Sequence, residues 1–170
     1  WWPLAPQRPV LSPSKMQQVW GNPSTHQMGK EEIRRMIAAH RQSAANLREA
    51  GYDGVELHVA HGALLEQMLS PYFNNRTDEY GGIIENRMRL LLECLDAARD
   101  GAGPDMAVGI RFNCDELLPG GVPTGYGRDQ AKEILRRLSG SGLVDFFDLS
   151  LGIEPNQIQM IVQSVFVEKL

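Results

Sequence analysis

The stretch GVELHVAHG sets two imidazoles, His58 and His61, three residues apart at the end of an apolar, strand-like run, with Gly62 directly behind them. Such a pair can donate hydrogen bonds to a carbonyl, nitro or carboxylate oxygen, or take up a proton near neutral pH. The glycine lets the chain turn or approach a ligand closely, so that both rings reach one small site. A packing reading stands beside this one, in which one ring caps the strand and the other binds a backbone carbonyl. A metal reading would recruit Glu56 or Glu66, but HxxH after a strand lacks the helical HExxH geometry and no third ligand is evident, so no metal site is assigned. Arg111 poses a second question, since it interrupts the apolar run VGIRF. A buried, unpaired cation is very costly, so Arg111 must meet a carboxylate such as Glu56 or a cofactor on which negative charge develops.

Strands and helices must position these groups. KEEIRRMIAAHRQSAANLREAG places Ile33, Met36, Ile37, His40, Ala44 and Leu47 at helical spacing, with acids near its start and Gly51 past its end. His40 lies on that apolar stripe and is read as a hydrogen-bonded packing residue. YDGVELH is a buried strand, a short helical turn follows over 64–69, and a second periodic helix is predicted over 84–98. AVGIRFN, GRDQAKEILRRLSGSG and VDFFDLSLG then read as strand, helix and strand. The loop SPYFNNRTDEYGGIIENRMR is a scaffold, its charged and amide side chains satisfying one another and the backbone. Residues 1–29, studded with Pro3, Pro6, Pro9, Pro13 and Pro23, read as an extended surface loop leading into a barrel fragment over 30–170.

Alternating helices and apolar strands imply a parallel sheet covered by helices. Each strand ends in polar residues, His58 with His61, Arg111 with Asn113, and Asp148 with Ser150, which favours a (β/α)8 barrel, where ligands gather at the carboxyl ends of the strands. No Gly-rich dinucleotide turn or phosphate loop follows any strand. A whole barrel needs about 250 residues, so 170 residues with three strands predict a partial one, and the opening WWPLAPQRP, without an initiator methionine, reads as cut from something longer.

Composition narrows the class further: 42% hydrophobic and 22% charged residues suit a globular domain, and a net charge of −4 without a basic patch argues against nucleic acid. No apolar run suits a membrane span, and two cysteines without CxxC spacing, Cys94 and Cys114, suggest a reducing, cytoplasmic location.

The run GYDGVELHVAHGALLEQMLSPYFNNRTDEYGGIIENRMRLLLE, followed by VGIRFNCDELLPGG and GLVDFFDLSLG, resembles the flavin oxidoreductases of the Old Yellow Enzyme type over about 30–152. The resemblance implies an FMN-binding (β/α)8 barrel of which this chain holds strands four to six. It implies that His58 and His61 bind the substrate's activating group over the flavin, and that Arg111 lies beside the flavin's pyrimidine edge. Ene-reductases of this family carry a tyrosine proton donor two residues after the second member of the pair, where this chain has Ala63. NCDELLPGG and GIEPNQ resemble instead the branch that oxidises N-methyl amines and amino acids, although trimethylamine dehydrogenase has tyrosine where His58 stands. Oxidation of a C–H next to nitrogen is therefore the leading expectation, with Glu154 a candidate for recognising a cationic amine. NAD(P)H-dependent alkene reduction is the alternative, and an inactive structural module is the alternative of another class. The resemblance further implies a small-molecule substrate, no membrane partner, a homo-oligomer for the full-length protein, and any iron–sulfur cysteines beyond this chain.

Overall fold

A computed structural model of the chain describes residues 10–15, 25–118 and 125–152. Its centre is a parallel sheet in the order β3 (Gly54–Val59), β4 (Ala107–Asn113), β5 (Phe146–Ser150). Helix α1 (Lys30–Glu49) precedes β3, the short α2 (Leu64–Leu69) and α3 (Ile84–Ala102) lie between β3 and β4, and α4 (Arg128–Gly140) joins β4 to β5. This is the alternation read from the sequence, and α2 falls on the expected turn.

Period-two alternation divides the strands between two faces. Leu57, Val59, Val108, Ile110 and Phe112 are buried and join one core with Met88, Leu91, Leu95 and Ala98 of α3 and Ile33 and Ala44 of α1. Glu56, His58, Arg111, Phe146 and Asp148 belong to the other face, where none is fully buried. Helix α3 continues four residues past the predicted end at 98, and its last turn carries Gly101, where a Cβ would collide with the Arg41 carbonyl of α1. The helix then stops at Gly103, whose φ of 73° is in the left-handed region.

Of residues 1–29, the described ones, 10–15 and 25–29, include two short paired strands within the expected extended loop. Strand β1 (Val10–Ser12) pairs in parallel with β2 (Thr25–Gln27), and Ser12, Ser14, Thr25 and Met28 are buried. Three-residue strands are too short to show a period, and their burial comes from a distant loop. Arg76 Nη1 donates to the Pro13 carbonyl at 2.9 Å and to the Met28 carbonyl at 2.7 Å, while Nε and Nη2 grip Asp78. The loop is the scaffold expected: Asn74 donates to the carbonyls of Met68 and Tyr80, and Arg87 to those of Leu69 and Gly82. His40 also behaves as read, half-buried with Nδ1 2.8 Å from the Met36 carbonyl. Among the described residues, no helix is long and apolar enough to cross a membrane.

Candidate active site

Parallel register brings His58, Arg111 and Asp148 opposite one another on three adjacent strands. Because they share one pleat phase, all three side chains lie on the same, open face. Arg111 meets Asp148 rather than Glu56: Nε is 3.4 Å from Asp148 Oδ2, with side-chain exposures of 43% and 48%. At that separation the pair is an ion pair without an aligned hydrogen bond, and the buried Nε–H has no hydrogen-bond acceptor among the described residues. Below Arg111 on β4, Gly109 leaves room for the Phe146 ring, which a Cβ would strike.

Beyond β3 the chain turns sharply. His61 and Gly62 have φ of 58° and 77°, left-handed values that swing the second imidazole back over the strand ends. The two rings end with centroids 5.3 Å apart and planes tilted by 48°. His61 Nε2 lies 2.7 Å from Ser150 Oγ on β5, so the turn after β3 bridges to the end of β5. The fold thus brings together His58, His61 and Arg111, and adds Asp148 and Ser150, which the sequence marks only as polar strand ends. Glu154 lies outside the described residues.

The sequence reading missed the polar support beneath this site. Glu66, weighed there only as a metal ligand, is buried and accepts hydrogen bonds from the Gly62 amide, the Asn113 side chain and the Tyr126 hydroxyl. Glu116 accepts from Ser70 Oγ and the Tyr126 amide. Burial pushes the Glu66 carboxyl up to about 7 and that of Glu116 up to about 8, and it raises the Tyr126 phenol well above its ordinary value. The available signal was an acid within the apolar ALLEQML run. Among the described residues, no group of three or more His, Cys, Asp or Glu is placed to hold a metal ion.

The geometry also bears on a flavin. A half-exposed guanidinium whose buried Nε–H has no acceptor among the described residues, beside two imidazoles on an open face, suits a planar heterocycle with hydrogen-bond acceptors along one edge that gains negative charge on reduction. The residues present therefore fit the cofactor that the sequence resemblance implies.

Comparison with known proteins follows the same line. The profile of the NADH:flavin oxidoreductase / NADH oxidase family matches residues 4–124. The chain is 39% identical over 138 residues to an N,N-dimethylglycine/sarcosine dehydrogenase of Chromohalobacter salexigens, covering 81% of this chain and 19% of that protein. It is 44% identical over 123 residues to an NADH-dependent flavin oxidoreductase of Aspergillus parasiticus, covering 72% of this chain and 27% of that one. Among solved structures, a 2-naphthoyl-CoA reductase complex superposes with a TM-score of 0.78 at 31% identity, over 86% of this chain and 22% of that one. The chain spans about a fifth to a quarter of the length of these relatives. A profile match across most of the chain, together with a fold shared at this level, establishes that the chain belongs to the NADH:flavin oxidoreductase / NADH oxidase family.

Proposed function

We propose that this chain forms strands four to six of an FMN-binding (β/α)8 barrel, in an oxidoreductase that removes hydride from the C–H next to nitrogen of an N-methyl amine or amino acid. The observation that carries the reading is the line His58, Arg111, Asp148 across one open sheet face, with His61 bridged to Ser150. When bound, FMN supplies the two-electron acceptor for that hydride. Arg111 would offer the cofactor fixed positive charge and an Nε–H that has no acceptor among the described residues, while Asp148 on the neighbouring strand orients the guanidinium. His58 and His61 hold the substrate's polar group from one side. An amine releases hydride only as the neutral base, and an imidazole here can take the ammonium proton first. Water then hydrolyses the C=N product to the demethylated amine and formaldehyde. Ala63 stands where an alkene reductase of this family has its proton donor, and the similarity to a dimethylglycine/sarcosine dehydrogenase points the same way. The similarity to an NADH-dependent flavin oxidoreductase supports alkene reduction, with NAD(P)H as donor, as the second reading. A cytoplasmic location and a homo-oligomeric full-length protein complete the proposal.

The test is the visible spectrum of the chain after incubation with FMN and gel filtration, beside Arg111→Ala and the His58→Ala/His61→Ala double variant. Flavin absorbance retained by the wild type and the double variant but lost in Arg111→Ala is the expected result. No retention by the wild type would leave the isolated chain a structural piece. In the full-length enzyme, flavin bleaching by N-methyl amines without NAD(P)H marks amine oxidation. Enone-dependent NAD(P)H consumption marks the alternative.

A further inference from the structure

Beneath the imidazoles lies a buried polar line that the proposed reaction leaves unused. Glu66 Oε2 accepts the Gly62 amide at 2.5 Å, while Oε1 accepts the Asn113 side-chain nitrogen at 2.5 Å and the Tyr126 hydroxyl at 3.0 Å. The same Asn113 nitrogen donates to the Gly152 carbonyl at 2.6 Å. Both neighbours of that nitrogen are acceptors, which fixes the amide orientation. The line Gly62, Glu66, Asn113, Gly152 therefore ties together the carboxyl ends of β3, β4 and β5.

Its first member is the amide that follows His61. A side chain at φ 58° is strained, and such conformations persist only where the surroundings over-determine them. Three hydrogen bonds do so here: the Ala63 amide to the Ala60 carbonyl at 3.0 Å, Gln67 Nε2 to the Gly62 carbonyl at 2.7 Å, and the Gly62 amide to Glu66. Of these, the Glu66 contact continues through Asn113 to the far strands. Ser150, the partner of His61, lies two residues before Gly152 at the other end of the line. A small slip between the turn and β5 would break that bridge.

Packing does not require an acid at this position. Glu66 is fully buried and has no ion-pair partner among the described residues, whereas an apolar side chain of similar length would fill the space without desolvating a carboxyl. We propose that Glu66 is the positioning residue of the imidazole site: it clamps the Gly62 amide and, through Asn113, locks the His61 turn to the ends of β4 and β5. The functional meaning rests on the reading of His58 and His61 given above, whereas the clamp itself is observable without turnover.

The experiment is amide hydrogen exchange and histidine-ring 1H–15N spectroscopy on the 15N-labelled full chain, comparing wild type with Glu66→Asp and Glu66→Gln. Aspartate is one methylene too short to hold Gly62 and Asn113 together, while glutamine keeps the length and one acceptor oxygen for the Gly62 amide. Glu66→Asp should speed Gly62 exchange about ten- to a hundredfold and shift the His61 ring resonances, with the Leu95 and Ile110 amides as slow as in wild type. Glu66→Gln should keep Gly62 within about tenfold of wild type. Unchanged Gly62 exchange and His61 resonances in Glu66→Asp would overturn the proposal. Should Glu66→Asp fail to fold, the glutamine variant decides: with its oxygen on the Gly62 amide its NH2 opposes the Asn113 donor, so shifted His61 ring resonances support the lock through Asn113, and Gly62 exchange and His61 resonances both identical to wild type sink it. Absence of turnover on N-methyl substrates alongside these shifts would remove the functional reading and leave the clamp standing.

Discussion

Glu66 and Glu116 are two carboxyls enclosed by one cluster, both in contact with Tyr126, and both raised above the ordinary carboxylate value by burial. A carboxyl whose folded pKa exceeds its unfolded value binds its proton more tightly in the fold. The stability this gives is complete below about 4.5 and is lost as pH rises through about 7 and about 8. Asp78 and Asp145 act oppositely: hydrogen bonds, from Arg76 and from the Val108 amide respectively, hold them below the ordinary range, so their contribution is lost only in acid. Melting temperature should therefore fall between pH 5.5 and pH 9, and Glu116→Gln, which mimics the protonated form, should flatten a large part of that slope. Calorimetry across the range checks this, and an unchanged slope in the variant would place the titrating groups elsewhere. The imidazole pair and Arg111 were legible at this scale because an ionisable residue ending or interrupting an apolar strand demands a partner. The acids of the support were not, because an acid within a short helix gives no sign of which way it faces.

Among the elements, the helices and strands could be read because burial on one side imposes a period, and each period in the sequence corresponds to an observed element. What the period does not encode is how closely two elements approach. Helices α1 and α3 meet where Gly101 has no Cβ, against the Arg41 carbonyl. Alanine ordinarily favours a helix interior over glycine by roughly 1 kcal/mol, whereas forcing a methyl into backbone costs about 1–3 kcal/mol or more. The clash is with backbone, which puts it at the upper end of that range, so Gly101→Ala should destabilise the chain by about 2 kcal/mol net in denaturant titration. A neutral or stabilising result would mean that α1 gives way at low cost. This contact lies past residue 98, where the apolar period read from the sequence ends, because a glycine carries no side chain to continue that period.

For the molecule as a whole, the loop between α2 and α3 does what no local pattern announces, because Arg76 reaches back to the carbonyls of Pro13 and Met28 while bound to Asp78. The guanidinium is buried and its planar fork serves all three partners. Arg76→Lys should cost about 3 kcal/mol in unfolding free energy, since one ammonium cannot replace those contacts and leaves buried carbonyls unsatisfied. Equilibrium unfolding measures it, and a loss below about 1 kcal/mol would show that the first strands dock without this staple. The sequence by itself determined the parallel α/β class, the order of the elements and the family, because hydrophobic periodicity and a long run of family-like text are local properties of the chain. It also marked His58, His61 and Arg111. Only the tertiary structure decided that Asp148 and not Glu56 faces Arg111, that His61 bridges to Ser150, and that Glu66 holds the turn between them. Those partners lie far apart in the chain, and their meeting depends on strand register and a left-handed turn, which no single segment specifies.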